Sequence, residues 1–443
     1  MTIQQQFNNH FSEENLKRIF VEHVVYSGAT GIDNLDQYAF RTQLDEQIAI
    51  LSRKMLAGTY KFTKYKLKLV SKGKDKAPRE ISIPTVRDRI AMRAMCDFLT
   101  EIYDGDVEFN LPQKVIKRVK ADVASGGFTG VIKLDVSNFY PSIKHKELRS
   151  RLGKKIRSDD IKSILFSAVT SPTVAVSKTT DPLSTRGVPQ GLAISNILAA
   201  IYLLNIDNYF ESLPNIKYYR YVDDVMVFCD FNDAQTIATD IRKRFGRIGL
   251  KMYDPIKRPD KSTIEQLGRS FDYLGYHFYD STISARLGSI ERLKHSLVSI
   301  FTSYKHSKQK SEAFLLWRLN LRITGCVFDN KAKGWLFFFS EINDEQLLHT
   351  LDHYVGKLIK RFNVTIQPKK FVRAFKELSH RKYETSYIPN FDDYTLAQKK
   401  KVLTDYFKVN VSKLRKVEVE FEFNKRINKQ VKDLLVDVQS FAY

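Results

Sequence analysis

Two aspartates stand side by side at 223 and 224 inside YYRYVDDVMVFCD (218–230), and a third, Asp135, closes the apolar run GVIKLDV 88 residues earlier. Adjacent aspartates are ordinarily a polar turn. Here β-rich arms flank them on both sides, so the segment reads as a hairpin with Asp223 and Asp224 at its bend. Carboxylates held together repel one another, and a divalent cation relieves that repulsion. Asp135, at the end of a different strand, would complete a hard-oxygen site of the kind that two-metal phosphoryl transfer requires, with ions about 3.5–4 Å apart and open positions for substrate oxygens. One ion would lower the pKa of an attacking 3′-hydroxyl; the other would hold a triphosphate and its leaving pyrophosphate.

The elements that must position these residues are partly legible from periodicity. Residues 36–57 (DQYAFRTQLDEQIAILSRKMLA) carry apolar residues at helical spacing and end near Gly58. Residues 60–70 (YKFTKYKLKLV) alternate apolar residues with lysine, as a half-buried strand does, and ISIP forms another short strand stopped by Pro84. The spacing predicts a helix over 86–103, a buried strand over 130–136, and a third β segment at FDYLGYHFYD (271–280). Beyond about 285 the pattern is mainly helical. Leu347, Leu348, Leu351, Val355, Leu358 and Phe362 fall along one face, and the lysine- and aromatic-rich stretch from 364 to 443 carries no clear pattern. The fold class expected is α+β, with a catalytic unit followed by a helical, basic C-terminal unit.

Composition narrows the partners. The 443-residue chain carries a formal net charge of +22, and so much uncompensated Lys and Arg favours a polyanion such as nucleic acid. Cys96, Cys229 and Cys326 lie far apart with no CxxC or Cys/His pattern, which argues against disulfides and structural zinc and for a reducing cytoplasm. No apolar run has the length of a membrane span, and the N-terminus lacks the core of a signal peptide.

Read in order, REISIPTVRDRIAMR (79–93), KLDVSNFYPSI (133–143), RGVPQGLAISNILAAIYL (186–203), YVDD (221–224) and YLGYHF (273–278) resemble the successive motifs of reverse transcriptases. The stretch from TGIDNLDQYAF to LAGTYKF is similar to the N-terminal extension of group II intron and related bacterial enzymes. The resemblance covers about residues 30–280. It implies a right-hand polymerase: an N-terminal extension and fingers over 1–130, a palm over 131–284 with a fingers segment interleaved, a helical thumb over 285–365, and a basic extension over 366–443. Asp135, Asp223 and Asp224 match the catalytic metal-binding aspartates, with the Val136 carbonyl as a further ligand, for two Mg²⁺ ions or Mn²⁺ in their place. Tyr140 matches the bulky residue beneath the sugar, whose ring would collide with a ribose 2′-hydroxyl. Gln190 matches the residue that contacts the incoming nucleotide, Arg79 the fingers residue that grips triphosphate, with Lys74 or Lys76 from the same loop assisting. Lys261 matches a late-palm lysine near the pyrophosphate.

The overall plan is most similar to the defence-associated and abortive-infection reverse transcriptases. ITGCVFDNKAKGW (324–336) bears a partial likeness to the thumb-side feature of retron enzymes. The resemblance implies an RNA template, deoxynucleoside triphosphates and a DNA product, in bacterial antiphage defence. It leaves open a retron-type enzyme copying a dedicated structured non-coding RNA, a template-independent or protein-primed polymerase of the abortive-infection type, and a homo-oligomer or partner protein. An RNA-dependent RNA polymerase ranks below these, because Tyr140 and YVDD depart from its pattern. From a different class, the charge alone would suit a catalytically inert nucleic-acid-binding protein.

Overall fold

The structure, a computed structural model, describes residues 1–71, 77–381, 384–436 and 438. Lys74 and Lys76 lie outside the described residues. The chain divides into two compact units, Met1–Phe109 with Phe128–Glu265, and Asn110–Gly127 with Gln266–Tyr443. These boundaries differ from the four consecutive segments expected above. The helix Pro112–Ala124 belongs with the C-terminal residues, and the chain leaves the first unit at Gln266.

In the first unit, β1 (Tyr65–Val70) pairs antiparallel with β2 (Arg79–Ile83), closing Val70 opposite Arg79. The strand expected over 60–70 begins only at Tyr65 because the residues before it have other partners. The Tyr60 hydroxyl donates to Asp88 Oδ1 at 2.6 Å and the Thr63 N–H to Asp88 Oδ2 at 3.1 Å. Asp88 sits in the first turn of the helix Val86–Ile102, which Thr85 caps through the Asp88 N–H. Burial raises the Asp88 pKa, against the opposing pull of its bonds from Thr63, Tyr60 and Thr85. The single helix expected over 36–57 is two, Gln37–Arg41 and Leu44–Leu56, the second ending before Gly58 at φ 70°.

The central sheet follows from alternation. In β3 (Gly130–Ser137), Ile132, Leu134 and Val136 are buried on one face, while Lys133, Asp135 and Ser137 are half-buried on the other. After the two-residue β4 (Thr173–Val174), which joins β1 in parallel, come β5 (Lys217–Tyr221), β6 (Asp224–Cys229), β7 (Lys251–Met252) and β8 (Thr263–Gln266). The order is β5-β6-β3-β7, with β8 also on β3. The helix Ser195–Glu211, apolar nearly all round, buries Ile197, Leu198, Ile201, Tyr202, Leu203, Ile206 and Phe210 in the same core as Leu134 and Val227.

In the second unit, β9 (Phe271–Tyr273), β10 (Tyr276–Tyr279) and β11 (Thr282–Ala285) form a meander, so the third β segment read from sequence is present. Leu274 (φ 46°) and Gly275 (φ 86°) make its first turn. A hairpin, β12 (Cys326–Phe328) and β13 (Lys331–Lys333), interrupts the helices. Its tip, Asp329 and Asn330, lies in left-handed backbone, and both N–H groups donate to the Asp392 carboxylate at 2.8 and 2.9 Å. The helix Glu345–Phe362 buries Leu348, Leu351, Val355 and Leu358, four of the six residues on its expected stripe. Phe371–His380, Leu396–Asp405 and Lys416–Leu435 are helices in the stretch that showed no clear pattern. Among the described residues no helix is long and apolar enough to cross a membrane.

Candidate active site

Antiparallel register sets two of the three aspartates face to face. Asp135 of β3 pairs directly with Asp224 of β6, which puts both carboxylates on one face of the sheet. Asp224 also pairs with Tyr221, so the bend of the hairpin is Val222–Asp223. The bend therefore lies one residue earlier than the sequence suggested: Asp223 is in the turn, and Asp224 is the first residue of the strand. The Asp223 carbonyl accepts the Val136 N–H at 3.1 Å, tying the turn to the end of β3.

Val222 has φ 57°. Left-handed backbone suits Gly, Asn and Asp; a β-branched residue there costs about 1–3 kcal/mol and persists only where the surroundings over-determine it. The Arg220 Nη1 donates to the Val222 carbonyl at 3.0 Å. Its Nε donates to Asp207 Oδ1 at 2.8 Å and its Nη2 to Oδ2, and the Tyr218 hydroxyl adds a third contact to Asp207 at 3.0 Å.

Asp135 is held at three of its polar atoms. Its N–H donates to the buried Ser262 Oγ at 3.2 Å, its carbonyl accepts the Tyr253 N–H at 3.0 Å, and its Oδ2 pairs with Lys261 Nζ at 3.2 Å. Burial works against the Lys261 charge, but attraction to Asp135, with Tyr253 and Asp224 assisting, outweighs it and raises the pKa. Burial first, then the charges of Asp224 and Asp135, push the Asp223 carboxyl up to about 7.

The sugar-contacting candidate lies beside these groups. Tyr140, in the short helix Phe139–Ser142 entered through left-handed Asn138, is 9% exposed, and its hydroxyl donates to Asn196 Oδ1 at 2.5 Å. Burial, then the Asp223 charge, raises its pKa well above the phenol range. The same Tyr140 accepts the Val188 N–H at 2.9 Å on its carbonyl, while Gly187 N–H reaches the Ile143 carbonyl at 2.8 Å, so the VPQG segment is pinned to the Tyr140 turn. Its far end docks on β2: the Gln190 carbonyl accepts the Ser82 N–H at 2.7 Å, and a Cβ on Gly191 would stand 2.8 Å from Ile81 Cγ2. Arg79 begins β2, half-buried, and its charge acts on both Tyr140 and Asp223.

The structure thus brings Asp135, Asp223, Asp224, Lys261, Tyr140 and Arg79 into one electrostatic neighbourhood, with Val136 and Gln190 joined to it through backbone. Three carboxylates with hard oxygens suit a divalent cation in kind. As positioned, however, no three His, Cys, Asp or Glu side chains among the described residues converge closely enough to hold one, and Asp135 presents Oδ2 to Lys261. Sequence reasoning missed Asn196, Asp207, Arg220, Tyr253 and Ser262. One signal was available: an aspartate at 207, among the apolar residues of a mostly apolar helix, needs a partner, and Arg220 lies two residues before the turn.

Residues 70–278 match the profile of the family described as reverse transcriptase (RNA-dependent DNA polymerase). The chain is similar to protein YkfC of Escherichia coli (strain K12), 23% identical over 292 residues, which cover 56% of this chain and 74% of that protein. Among solved structures it is similar to apo telomerase from Candida tropicalis. The match at 13% identity covers 86% of this chain and 66% of that one, with a TM-score of 0.43. A form truncated from the C-terminal domain gives 13% identity, 51% and 55% coverage, and a TM-score of 0.39. This chain spans just over half of the truncated telomerase, and neither score is high enough to argue a shared fold. The family profile matches residues 70–278, just under half of the chain, to a reverse transcriptase domain.

Proposed function

We propose that this chain is an RNA-directed DNA polymerase that extends DNA by two-metal phosphoryl transfer. The observation that carries the reading is the register of Asp135 opposite Asp224 with Asp223 in the adjoining turn, inside the segment that matches the reverse transcriptase profile. Asp135, Asp223, Asp224 and the Val136 carbonyl would hold Mg²⁺, or Mn²⁺ in its place, once the Asp135 carboxylate turns from Lys261 toward the other two. When bound, the ions would supply acidity to the 3′-hydroxyl and countercharge to the triphosphate. The chain's own residues do the rest. Arg79 offers a planar fork to phosphate oxygens, Lys261 a cation beside Asp135 for the leaving pyrophosphate, and Gln190 a contact for the incoming nucleotide. The Tyr140 ring would exclude a 2′-hydroxyl. RNA template, deoxynucleotides and DNA product follow as partners. The helical residues beyond the family match serve as thumb and extension, and the three free cysteines suit a reducing cytoplasm.

Primer extension with Mg²⁺ tests the chemistry. Asp223→Asn and Asp135→Ala should each abolish incorporation while the variants stay folded and keep RNA affinity close to wild type. Full activity in either folded variant would sink the polymerase reading. We place the enzyme in bacterial antiphage defence on the resemblance of its plan to defence-associated enzymes. Phage challenge of cells expressing wild type or Asp223→Asn checks that role, and equal plating on both would reject it.

A further inference from the structure

A catalytic turn built around a valine in left-handed backbone needs something outside the hairpin to hold it. Among the described residues, nine non-glycine positions have positive φ, and Val222 is the β-branched one; six of the others are Asn or Asp. An isolated two-residue hairpin turn would favour Gly, Asn or Asp at this place. The Arg220 guanidinium supplies the outside hold. Nη1 donates to the Val222 carbonyl at 3.0 Å, while Nε and Nη2 grip both oxygens of Asp207. Asp207 belongs to the helix Ser195–Glu211, whose apolar residues anchor it in the main core. The two charged side chains are 13% and 12% exposed, so the pair is shielded from competing water.

We propose that Asp207 and Arg220 are positioning residues that fix the Val222–Asp223 turn, and through it the Asp223 carboxylate, in register with Asp135 and Asp224. The path is a rigid helix, a carboxylate, a planar guanidinium and a turn carbonyl, and neither charged group needs to touch metal or substrate. An ammonium cannot replace the fork, because it lacks the separate edges that reach a carboxylate and a carbonyl together. The catalytic consequence rests on the polymerase reading above; the mechanical hold rests on these contacts alone.

The test uses the full chain with Arg220→Ala, Arg220→Lys, Asp207→Asn, and each Arg220 variant combined with Val222→Gly. Steady-state primer extension gives kcat and the deoxynucleotide KM, and amide hydrogen exchange follows the peptide spanning 217–229. Displacing a reacting group by a fraction of an ångström to an ångström costs roughly tenfold to a hundredfold in rate, so kcat should fall by about that factor in Arg220→Ala and Asp207→Asn, with KM much less affected. Exchange at the turn should rise in the same variants, and Arg220→Lys should recover only part of either loss. Glycine adopts left-handed backbone without strain, so adding Val222→Gly should restore kcat several-fold to an Arg220 variant. A folded Arg220→Ala chain with wild-type kcat and wild-type exchange would overturn the inference, as would a folded double variant no better than its single parent. Should Arg220→Ala not fold, Arg220→Lys with and without Val222→Gly carries the same comparison. A wild-type chain that incorporates no nucleotide would instead reject the polymerase reading, and the exchange arm, which needs no substrate, would still decide the clamp.

Discussion

At the residue scale, the site combines unbalanced charge with steric control. The Asp223 carboxyl is held at about 7, above its ordinary carboxylate value, by burial and by its two acidic neighbours. Between the ordinary value and 7, the folded chain keeps a proton that the unfolded chain has released, so this group makes stability fall as pH rises through that window. In EDTA, Asp223→Asn should therefore raise Tm, by more at pH 8 than at pH 5; an equal change at both pH values would mean that the Asp223 charge is not what strains the metal-free chain. As the candidate sugar gate, Tyr140 would work by shape. Its ring is buried and its hydroxyl is held by Asn196, so the candidate gate has a support that the sequence did not announce. Tyr140→Ala or Tyr140→Val should relax discrimination against ribonucleotides roughly tenfold to several-hundredfold in the ratio of kcat/KM values, since rejecting one hydroxyl by shape is worth a few kcal/mol at most. Asn196→Ala should relax it less, by freeing the ring without removing it. An unchanged ratio in the Tyr140 variants would show that another residue gates the sugar.

At the element scale, two connections decide whether the parts meet. One is the β5–β6 turn, where a one-residue difference between the expected and observed bend changes which aspartate lies in the turn and which faces Asp135 across the sheet. The other is the segment 187–191, which joins the Tyr140 turn to β2 and so couples the candidate sugar gate to the strand that carries Arg79. Gly191 makes this approach feasible: it has φ 97°, and an added Cβ would meet Ile81 Cγ2 at 2.8 Å and the Ser82 carbonyl at 3.2 Å. Gly191→Ala should push the segment off β2. Left-handed backbone alone costs an L-residue about 1–2 kcal/mol, and the clash adds to it. We expect a lower Tm together with a raised deoxynucleotide KM; a variant with wild-type KM would separate this docking from nucleotide binding.

At the scale of the whole molecule, charge is unevenly explained. Residues 266–443 contain 31 Lys and Arg against 19 Asp and Glu, an excess suited to a nucleic-acid backbone. Lys399, Lys400 and Lys401 form the densest run, on the helix Leu396–Asp405, but they are not equivalent. Lys399 lies over the Phe423 ring at 5.7 Å, and Phe423 belongs to the local core, so reversing it would disturb packing as well as charge. Lys401 is exposed and Lys400 half-buried. Reversing Lys400 and Lys401 together should weaken RNA binding and flatten the dependence of log Kd on log salt by about 1–2, with the metal dependence of incorporation unmoved. Wild-type affinity at every salt concentration in a folded double variant would leave those two lysines as a solvated face.

Much of this was determined by local sequence. An apolar run placed β3 and its Asp135, β-rich arms declared the hairpin with its bend read one residue late, and the helical stripe from Leu348 to Leu358 was read nearly as it packs, because each of these patterns lies within a single element. The four-part division, the single helix over 36–57 and the strand start at 60 were not settled that way. Asp88 draws Tyr60 and Thr63 out of the strand from a helix more than twenty residues later, and the helix at 112–124 packs with residues beyond 266. The same limit applies to the site. The three aspartates were visible as residue types, but Asp135 opposite Asp224 is a matter of register, Arg220 on Asp207 a contact between a strand and a helix, and Asn196 on Tyr140 a contact across 56 residues. Periodicity reports which face of an element is buried. Only the packed chain decides what lies against that face, since a buried polar group must find a partner that local sequence does not contain.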